Sequence, residues 1–251
     1  AAALIGPEIV IRFQDWLAPV PYAGAYVAVA ILALGGAVPL AFLDIPRPPR
    51  AEAGGPAGRT WTRIMADRRV PVAMLCAMVA YALMNLVMTS TPLAMDHSGF
   101  PTGHAAEVVR IHVLAMYAPS FVTGALIARF GAERVIASGL VLIAVAGGVA
   151  LSGVQFGHFA VALTLIGVGW NFGFIGATTL LAASHRPEER ARVQGLNDFL
   201  VFGLVSAGSF SSGALMAVSG WAAVNLAALP LLTLAAVALA WLAVSRRGRS
   251  A

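Results

Sequence analysis

Long apolar stretches, separated by short polar segments, divide the chain. There are seven of them, at residues 22–43, 70–92, 108–128, 135–152, 159–182, 196–217 and 221–244. Each can cross the hydrocarbon core of a membrane as a helix, which takes about 20 residues. Only helices and closed barrels satisfy their backbone hydrogen bonds in lipid, and these stretches are too long for strands. The pattern therefore predicts an all-α fold, a polytopic bundle of membrane helices.

The first twelve residues, AAALIGPEIVIR, are apolar but too short to span a membrane. They read as the last turns of a helix whose beginning is missing. No basic region or small-residue cleavage site precedes them, and the first residue is not Met, so they do not fit a signal peptide. We therefore expect that the chain is a fragment, cut at its front.

The composition agrees with a protein that lies mostly in lipid. Hydrophobic residues make up 59% of the chain and charged residues 11%, and the mean hydropathy is +0.84. Soluble domains carry about a quarter charged residues, so this chain lacks the material for a water-facing exterior. Its single cysteine, Cys76, excludes an intramolecular disulfide and a cysteine-based metal site.

The positive charge lies between the apolar stretches. The net charge is +5, and every basic residue is Arg. The arginines form no stripe with interleaved aromatic residues, which excludes nucleic acid as a partner. Of the 16 arginines, 14 fall on alternate connectors, and only Arg12 and Arg110 fall on the opposite set. Because cytoplasmic loops retain positive charge, we expect an integral inner membrane protein with a cytoplasmic C-terminus.

One connector is much longer than the others. Residues 44–69 are rich in Pro, Gly and Arg, as expected of a linker between two bundles. We therefore predict three parts. Residues 1–43 hold the end of one transmembrane helix and one complete helix, 44–69 form a cytoplasmic linker, and 70–251 form a six-helix bundle with a cytoplasmic tail.

The segment GALIARFGAER, Gly124 to Arg134, carries the most specific motif. It resembles the cytoplasmic loop signature of the major facilitator superfamily, transporters built from two six-helix halves. The matching residues are Gly124, Leu126, Arg129 and Gly131, with Arg134 as a slightly late basic residue. Ala128 stands where the signature has an acid. The segment PEERARVQG, Pro187 to Gly195, and the small-residue helix after it are similar to the family's repeated pattern.

The resemblance extends to the front of the chain. Ile5 to Ile9, IGPEI, is similar to the fifth-helix motif of the family's antiporters, although Val10 and Ile11 replace the expected glycines. The resemblance then implies that the chain holds the end of helix five, helix six and the C-terminal bundle, helices seven to twelve. Its partner would be the missing N-terminal half of the same protein, or a second chain.

Polar residues halfway through a span are candidates for substrate binding, because transporters of this kind bind near the bilayer midplane. Tyr81, Asn85 and Thr89 recur every fourth residue, so they share one helix face. A buried amide in lipid needs hydrogen-bond partners, which a substrate or another helix can supply. Asn85 is therefore predicted to bind substrate, with helix-to-helix hydrogen bonding as the alternative.

Two further spans offer similar residues near their centres. Trp170 and Asn171 pair an aromatic ring with an amide, as small-molecule pockets often do, although the glycines around them also suit helix packing. Tyr117 and Ser120 lie at the centre of the third span. All four are predicted to line the substrate cavity.

Two ionisable residues are candidates for proton coupling. Asp198 is the only acid inside the last five spans. It is either a proton carrier, or a structural acid that interacts with its helix N-terminus, Arg129 or Arg134. His112 lies just inside the third span and titrates near physiological pH, so it is predicted to be an external proton gate.

The sequence thus predicts a secondary active transporter that moves a small organic solute across the lipid bilayer by alternating access. We expect it to be proton-coupled, with efflux as one direction of transport to consider, and to need no cofactor and no metal. The alternatives are a non-transporting assembly or receptor subunit and, more remotely, a membrane-embedded enzyme. No set of nucleophile, base and orienting acid converges in the sequence, which disfavours the enzyme.

Overall fold

The structure is a computed structural model that describes residues 2–20, 22–44 and 58–247. The chain divides into two compact units, Ala1–Pro56 and Ala57–Ala251. The described residues form helices and no strand. The predicted all-α fold is therefore confirmed for this part of the chain.

The first unit contains two helices. The predicted helix end near the front is α1, Ala2–Phe13, and the first predicted span is α2, Ala23–Ala41. The 19 residues of α2 are long and apolar enough to cross a membrane. Gly24 lets α2 approach the end of α1, because a Cβ at this position would clash with the Phe13 carbonyl oxygen and lie 2.7 Å from Trp16 Cβ in the connecting turn.

The second unit begins with α3, a short helix over Trp61–Ala66. The predicted linker, 44–69, overlaps this unit from residue 58 onward, and its residues 45–57 lie outside the described residues. The longer helices are α4 Arg69–His97, α5 Thr102–Tyr117, α6 Ser120–Phe130, α7 Ala132–Ser152, α8 Phe156–Ala182 and α9 Arg190–Arg247. A 3₁₀ turn, Pro187–Glu189, leads into α9.

Six helical segments of the described chain are long and apolar enough to span a membrane. One of them, Thr102–Phe130, combines α5 and α6. The last, Pro187–Ser245, has 59 residues, or about 90 Å of helix, against a hydrocarbon core of about 30 Å. Gly220 interrupts it with a non-helical backbone, φ 74°. This segment therefore contains the last two predicted spans, so all seven predicted spans are helical.

The centre of the second unit is formed by α4 and α8, the most buried of these segments. Glycines let α7 approach α8 closely. A Cβ at Gly139 would clash with the backbone nitrogen of Gly173 and lie 2.7 Å from the carbonyl oxygen of Gly169. Small residues at such contacts are how membrane helices gain packing without a hydrophobic driving force.

Two cation–π contacts hold the segment around α3 on the bundle. The guanidinium carbon of Arg192, in α9, lies 4.7 Å from the ring centroid of Trp61. Arg68 lies at the same distance, 4.7 Å, from the ring of Trp241 near the other end of α9. Both contacts join the entry of the second unit to its last helix.

Candidate substrate site

Five aromatic rings from four helices meet inside the second unit. They are Tyr81 from α4, Tyr117 from α5, Trp170 and Phe174 from α8, and Phe202 from α9. We call these five residues the aromatic cluster. Trp170 lies near the middle of the 27-residue α8, the depth at which transporters of this kind bind their substrates.

The rings of Trp170 and Phe174 are stacked, with centroids 5.4 Å apart and planes 11° apart. They can stack because residues four apart on a helix share one face. Tyr81 meets Trp170, Phe174 and Phe202 edge-on, at 5.5, 5.1 and 5.8 Å. Tyr117 meets Trp170 edge-on at 6.0 Å. Such offset geometries are favourable for aromatic pairs.

The aromatic cluster runs from the interior of the bundle to its surface. Trp170 is only 6% exposed, whereas Phe202 and Tyr117 are 54% and 58% exposed. The indole Nε1 of Trp170 is buried and has no hydrogen-bond partner among the described residues. A buried N–H donor is normally paired, so this one has capacity for an acceptor.

Asn85 lies one turn from Tyr81 on α4. Its Nδ2 donates a hydrogen bond to Ser209 Oγ on α9, 2.6 Å away. Thr89, on the same predicted face, donates instead to the Asn85 carbonyl oxygen at 2.8 Å, within its own helix. The three residues of the predicted face therefore make three different contacts. Tyr81 joins the aromatic cluster, Asn85 bonds to α9, and Thr89 bonds to the backbone of its own helix.

The structure separates Asn171 from its neighbour Trp170. Asn171 is fully buried and points toward the break between α5 and α6. Its Nδ2 donates to the Met116 carbonyl oxygen at 2.6 Å and to Ser120 Oγ at 2.7 Å. Thr123 Oγ1 donates to Asn171 Oδ1 at 2.6 Å. Four of the five predicted substrate residues thus form two pairs, Tyr117 with Trp170 and Ser120 with Asn171. Asn85 belongs to neither pair and bonds to Ser209.

Comparison with known proteins establishes the family. Residues 73–251 match the family model described as the Major Facilitator Superfamily. The chain belongs to the major facilitator superfamily. The resemblance predicted from the segment Gly124 to Arg134 is therefore confirmed. Membership also identifies the apolar helices as those of a membrane transporter family.

Three relatives are similar to the chain. It is 42% identical over 244 residues to the riboflavin transporter RfnT of Brucella anthropi, covering 95% of this chain and 60% of the relative. It is 36% identical over 154 residues to the uncharacterized MFS-type transporter YddS of Bacillus subtilis, covering 61% of this chain and 35% of the relative. Identity to YdeG of the same organism is 37% over 146 residues, 57% of this chain and 34% of the relative.

The chain therefore spans 60% of the length of the riboflavin transporter and about a third of the other two relatives. No solved structure matches the chain.

The segment that resembles the family's loop signature connects α6 and α7. Gly131 has φ 87°, a backbone conformation that a side chain disfavours, which explains glycine at this turn. The guanidinium carbon of Arg129 lies 5.2 Å from the Phe130 ring centroid. Gly124 lies within α6 and Arg134 in the first turn of α7.

The two predicted coupling residues occupy different surroundings. His112 is fully buried, and its Nδ1 lies 2.7 Å from the carbonyl oxygen of Leu163 on α8. Its Nε2 is buried without a hydrogen-bond partner among the described residues. Asp198 is exposed and accepts a hydrogen bond from Asn197 at 3.3 Å. In the described chain Asp198 forms no ion pair with Arg129 or Arg134. The predicted structural interaction with these two arginines is therefore not observed.

Proposed function

We propose that the protein carries a small organic solute with a planar aromatic ring across the inner membrane by alternating access, and that riboflavin is the first solute to test. The aromatic cluster carries this proposal. The riboflavin transporter of Brucella anthropi, similar over 95% of the chain, supports the choice of solute.

The chemistry of the cluster suits such a solute. Ligand pockets are mostly apolar and aromatic, with a few polar groups that set the orientation of the ligand. The edge of the cluster at Tyr117 and Phe202 is exposed, so a flat ring can stack there. Trp170 Nε1 can donate a hydrogen bond to a ring carbonyl or nitrogen, which an isoalloxazine ring offers. The Asn85 amide and Ser209 hydroxyl suit the hydroxyls of a sugar-alcohol chain.

The experiment is uptake of labelled riboflavin by cells that cannot make it and that express the natural gene product. We expect uptake above the empty-vector level. Trp170→Ala should reduce it strongly, since a stacking ring contributes about 0.5–1.5 kcal/mol beyond its buried area. Trp170→Phe keeps the stacking and removes the N–H, so it should raise KM less than Trp170→Ala.

Trp241→Ala is the matched control, because Trp241 lies far along α9 and outside the aromatic cluster. Riboflavin is contradicted as the solute if a correctly inserted wild-type protein gives uptake at the empty-vector level and also moves no riboflavin in either direction across proteoliposome membranes. Equal losses in Trp170→Ala and Trp241→Ala contradict the cluster as the site.

A carrier also needs an orientation and a complete cavity. We propose that the C-terminus is cytoplasmic and that an N-terminal half, in the same chain or a second one, completes the cavity. A fluorescent protein fused after Ala251 should fluoresce, and alkaline phosphatase fused there should be inactive. The reverse pattern contradicts the orientation.

The direction of transport and the coupling ion are part of the same proposal. We propose proton coupling through His112 or Asp198, with efflux as one possible direction. A non-transporting subunit is the competing function, and binding of riboflavin without flux into proteoliposomes would identify it.

A further inference from the structure

We infer that Asn171 is a positioning residue, which holds the break between α5 and α6 and thereby keeps Tyr117 against Trp170. This role differs from direct contact with the solute. For its transport readout, the inference rests on the proposed function.

The break lies in the middle of the Thr102–Phe130 span. Leu114 has a normal helical partner, because the Ala118 N–H donates to its carbonyl oxygen at 2.8 Å. The next carbonyl, Ala115, loses its usual donor because residue 119 is proline and has no N–H. The Met116 carbonyl, one residue further on, receives no hydrogen bond from the Ser120 N–H in the part of the chain that the structure describes, because α5 ends at Tyr117. Carbonyls freed at a helix end need other partners, and lipid supplies none.

The Asn171 side chain supplies partners on both sides of the break. One amide hydrogen goes to the Met116 carbonyl oxygen in the last turn of α5, and the other to Ser120 Oγ, the first residue of α6. Thr123, one turn into α6, donates to the amide oxygen. A neutral amide has two N–H donors, so both are used within the protein. Asn171 therefore has no donor left for a solute.

The same bonds set the distance between two rings of the aromatic cluster. Met116 immediately precedes Tyr117, and Asn171 immediately follows Trp170. The hydrogen bond between Asn171 and Met116 therefore joins the backbones that carry the two rings, which meet at 6.0 Å. If this bond is lost, the end of α5 is released from α8 and Tyr117 moves relative to Trp170.

The test compares Asn171→Ala, Tyr117→Ala and the double variant in the natural gene product. We expect Asn171→Ala to raise the KM for riboflavin by up to about tenfold, the factor that corresponds to losing one aromatic contact, and to leave the maximal rate within about twofold. Because Asn171 acts through Tyr117, it should raise KM little further in the Tyr117→Ala background. Additive effects would show a separate role for Asn171, and an unchanged KM with less folded protein would show a merely structural one. Either result overturns the inference.

A second variant covers the case in which Asn171→Ala does not fold. Thr123→Val keeps the side-chain volume and removes a hydroxyl that bonds to Asn171 Oδ1 and to the Pro119 carbonyl oxygen at the break, while both Asn171 N–H bonds remain. It should therefore change KM in the same direction by a smaller factor. Asn225→Ala is the matched control. This asparagine is also buried, but it donates to Trp221 within its own helix. A KM change in Asn225→Ala as large as in Asn171→Ala overturns the inference.

A spectroscopic readout separates this inference from the proposed function. Subtracting the emission of Trp170→Phe from that of the wild type isolates the fluorescence of Trp170. Asn171→Ala should shift this emission in the same direction as Tyr117→Ala, with no solute present. If riboflavin is not transported, the proposed function fails and the shift is still expected. An unshifted Trp170 emission overturns the positioning role alone.

Discussion

The Arg59 guanidinium forms two hydrogen bonds to the carboxylate of Glu189, which lies 130 positions later in the sequence. Nε of Arg59 donates to Oε1 at 2.8 Å, and its second guanidinium nitrogen donates to Oε2 at 2.7 Å. The Arg59 backbone N–H also donates to Oε1, at 2.8 Å. The Glu189 side chain is fully buried. Bidentate pairs of this kind are among the strongest hydrogen bonds in proteins, so this one fixes the entry of the second unit to the turn before α9.

Arg59→Ala should lower the melting temperature of the detergent-solubilised protein, because it leaves a buried carboxylate without its cation. Arg59→Lys should retain part of the stability, since an ammonium cannot form the two parallel bonds. Arg63→Ala is the control, because Arg63 is exposed on the neighbouring α3. If Arg59→Ala and Arg63→Ala melt at the same temperature, the pair does not stabilise the protein.

The stability that the Arg59–Glu189 pair contributes should not change as the pH becomes alkaline. The hydrogen bond to Glu189 raises the pKa of Arg59 above its ordinary value. A group with a raised pKa contributes its stability below the unfolded pKa and loses it only as the pH rises through the folded pKa. The melting difference between the wild type and Arg59→Ala should therefore stay constant between about pH 7 and pH 10. A difference that shrinks in this range contradicts the assignment.

Asp67 should contribute stability that is lost in acid. Partial burial raises the pKa of Asp67, but hydrogen bonds from the Arg69 side chain and backbone outweigh it, and the pKa lies below 3.8. A lowered pKa gives stability that is present above the unfolded value of 3.8 and lost as the pH falls through the folded one. Asp67→Asn should therefore melt below the wild type at neutral pH, by a small margin for a partly exposed pair. The difference in melting temperature should vanish in acid. A difference that grows there would show that folding raises the pKa of Asp67 instead of lowering it.

Gly139→Ala should destabilise the contact between α7 and α8. The new methyl group would clash with backbone atoms of Gly173 and Gly169, which cannot move aside as a flexible side chain can. Overpacking of this kind costs about 1–3 kcal/mol. Gly148→Ala on the same helix is the control, because a Cβ there meets nothing within 4 Å. Thermal melts of the two variants test the prediction, which fails if both melt alike.

Proton coupling should depend on His112 or Asp198. His112→Ala or Asp198→Asn should abolish uptake driven by a pH gradient in proteoliposomes, because the missing residue can no longer bind and release the proton. Exchange of labelled for unlabelled solute needs no gradient and should continue. If both variants retain gradient-driven uptake, the coupling assignment is wrong.

The spans could be predicted from sequence because lipid imposes one strong rule, a run of apolar residues long enough to cross it. The helix over Thr102–Phe130 shows the limit of that rule. Apolar length predicted one continuous span, whereas Pro119 divides it into α5 and α6. The proline was visible in the sequence, but the partner that makes its break tolerable comes from α8 and was not.

Within the candidate site, only residues that lie halfway through a predicted span could be identified from the sequence. Trp170 and Tyr117 were singled out by their mid-span positions, and they do meet in the aromatic cluster. Phe174 and Phe202 were missed. Phe174 lies one helical turn from Trp170, so its position near the middle of the span could have indicated it. Arg59 and Glu189 lie in separate connectors, and no local pattern relates them.

Gly220 has a consequence for how the chain enters the bilayer during synthesis. It lets the chain reverse between the last two spans with almost no connecting loop, and neither Ser219 nor Gly220 is charged. The tip of this hairpin can therefore cross the hydrocarbon without the roughly 2.5–3.5 kcal/mol that each charged residue costs at its centre. The two spans can therefore insert together as one hairpin. An Arg placed at the tip would slow their insertion.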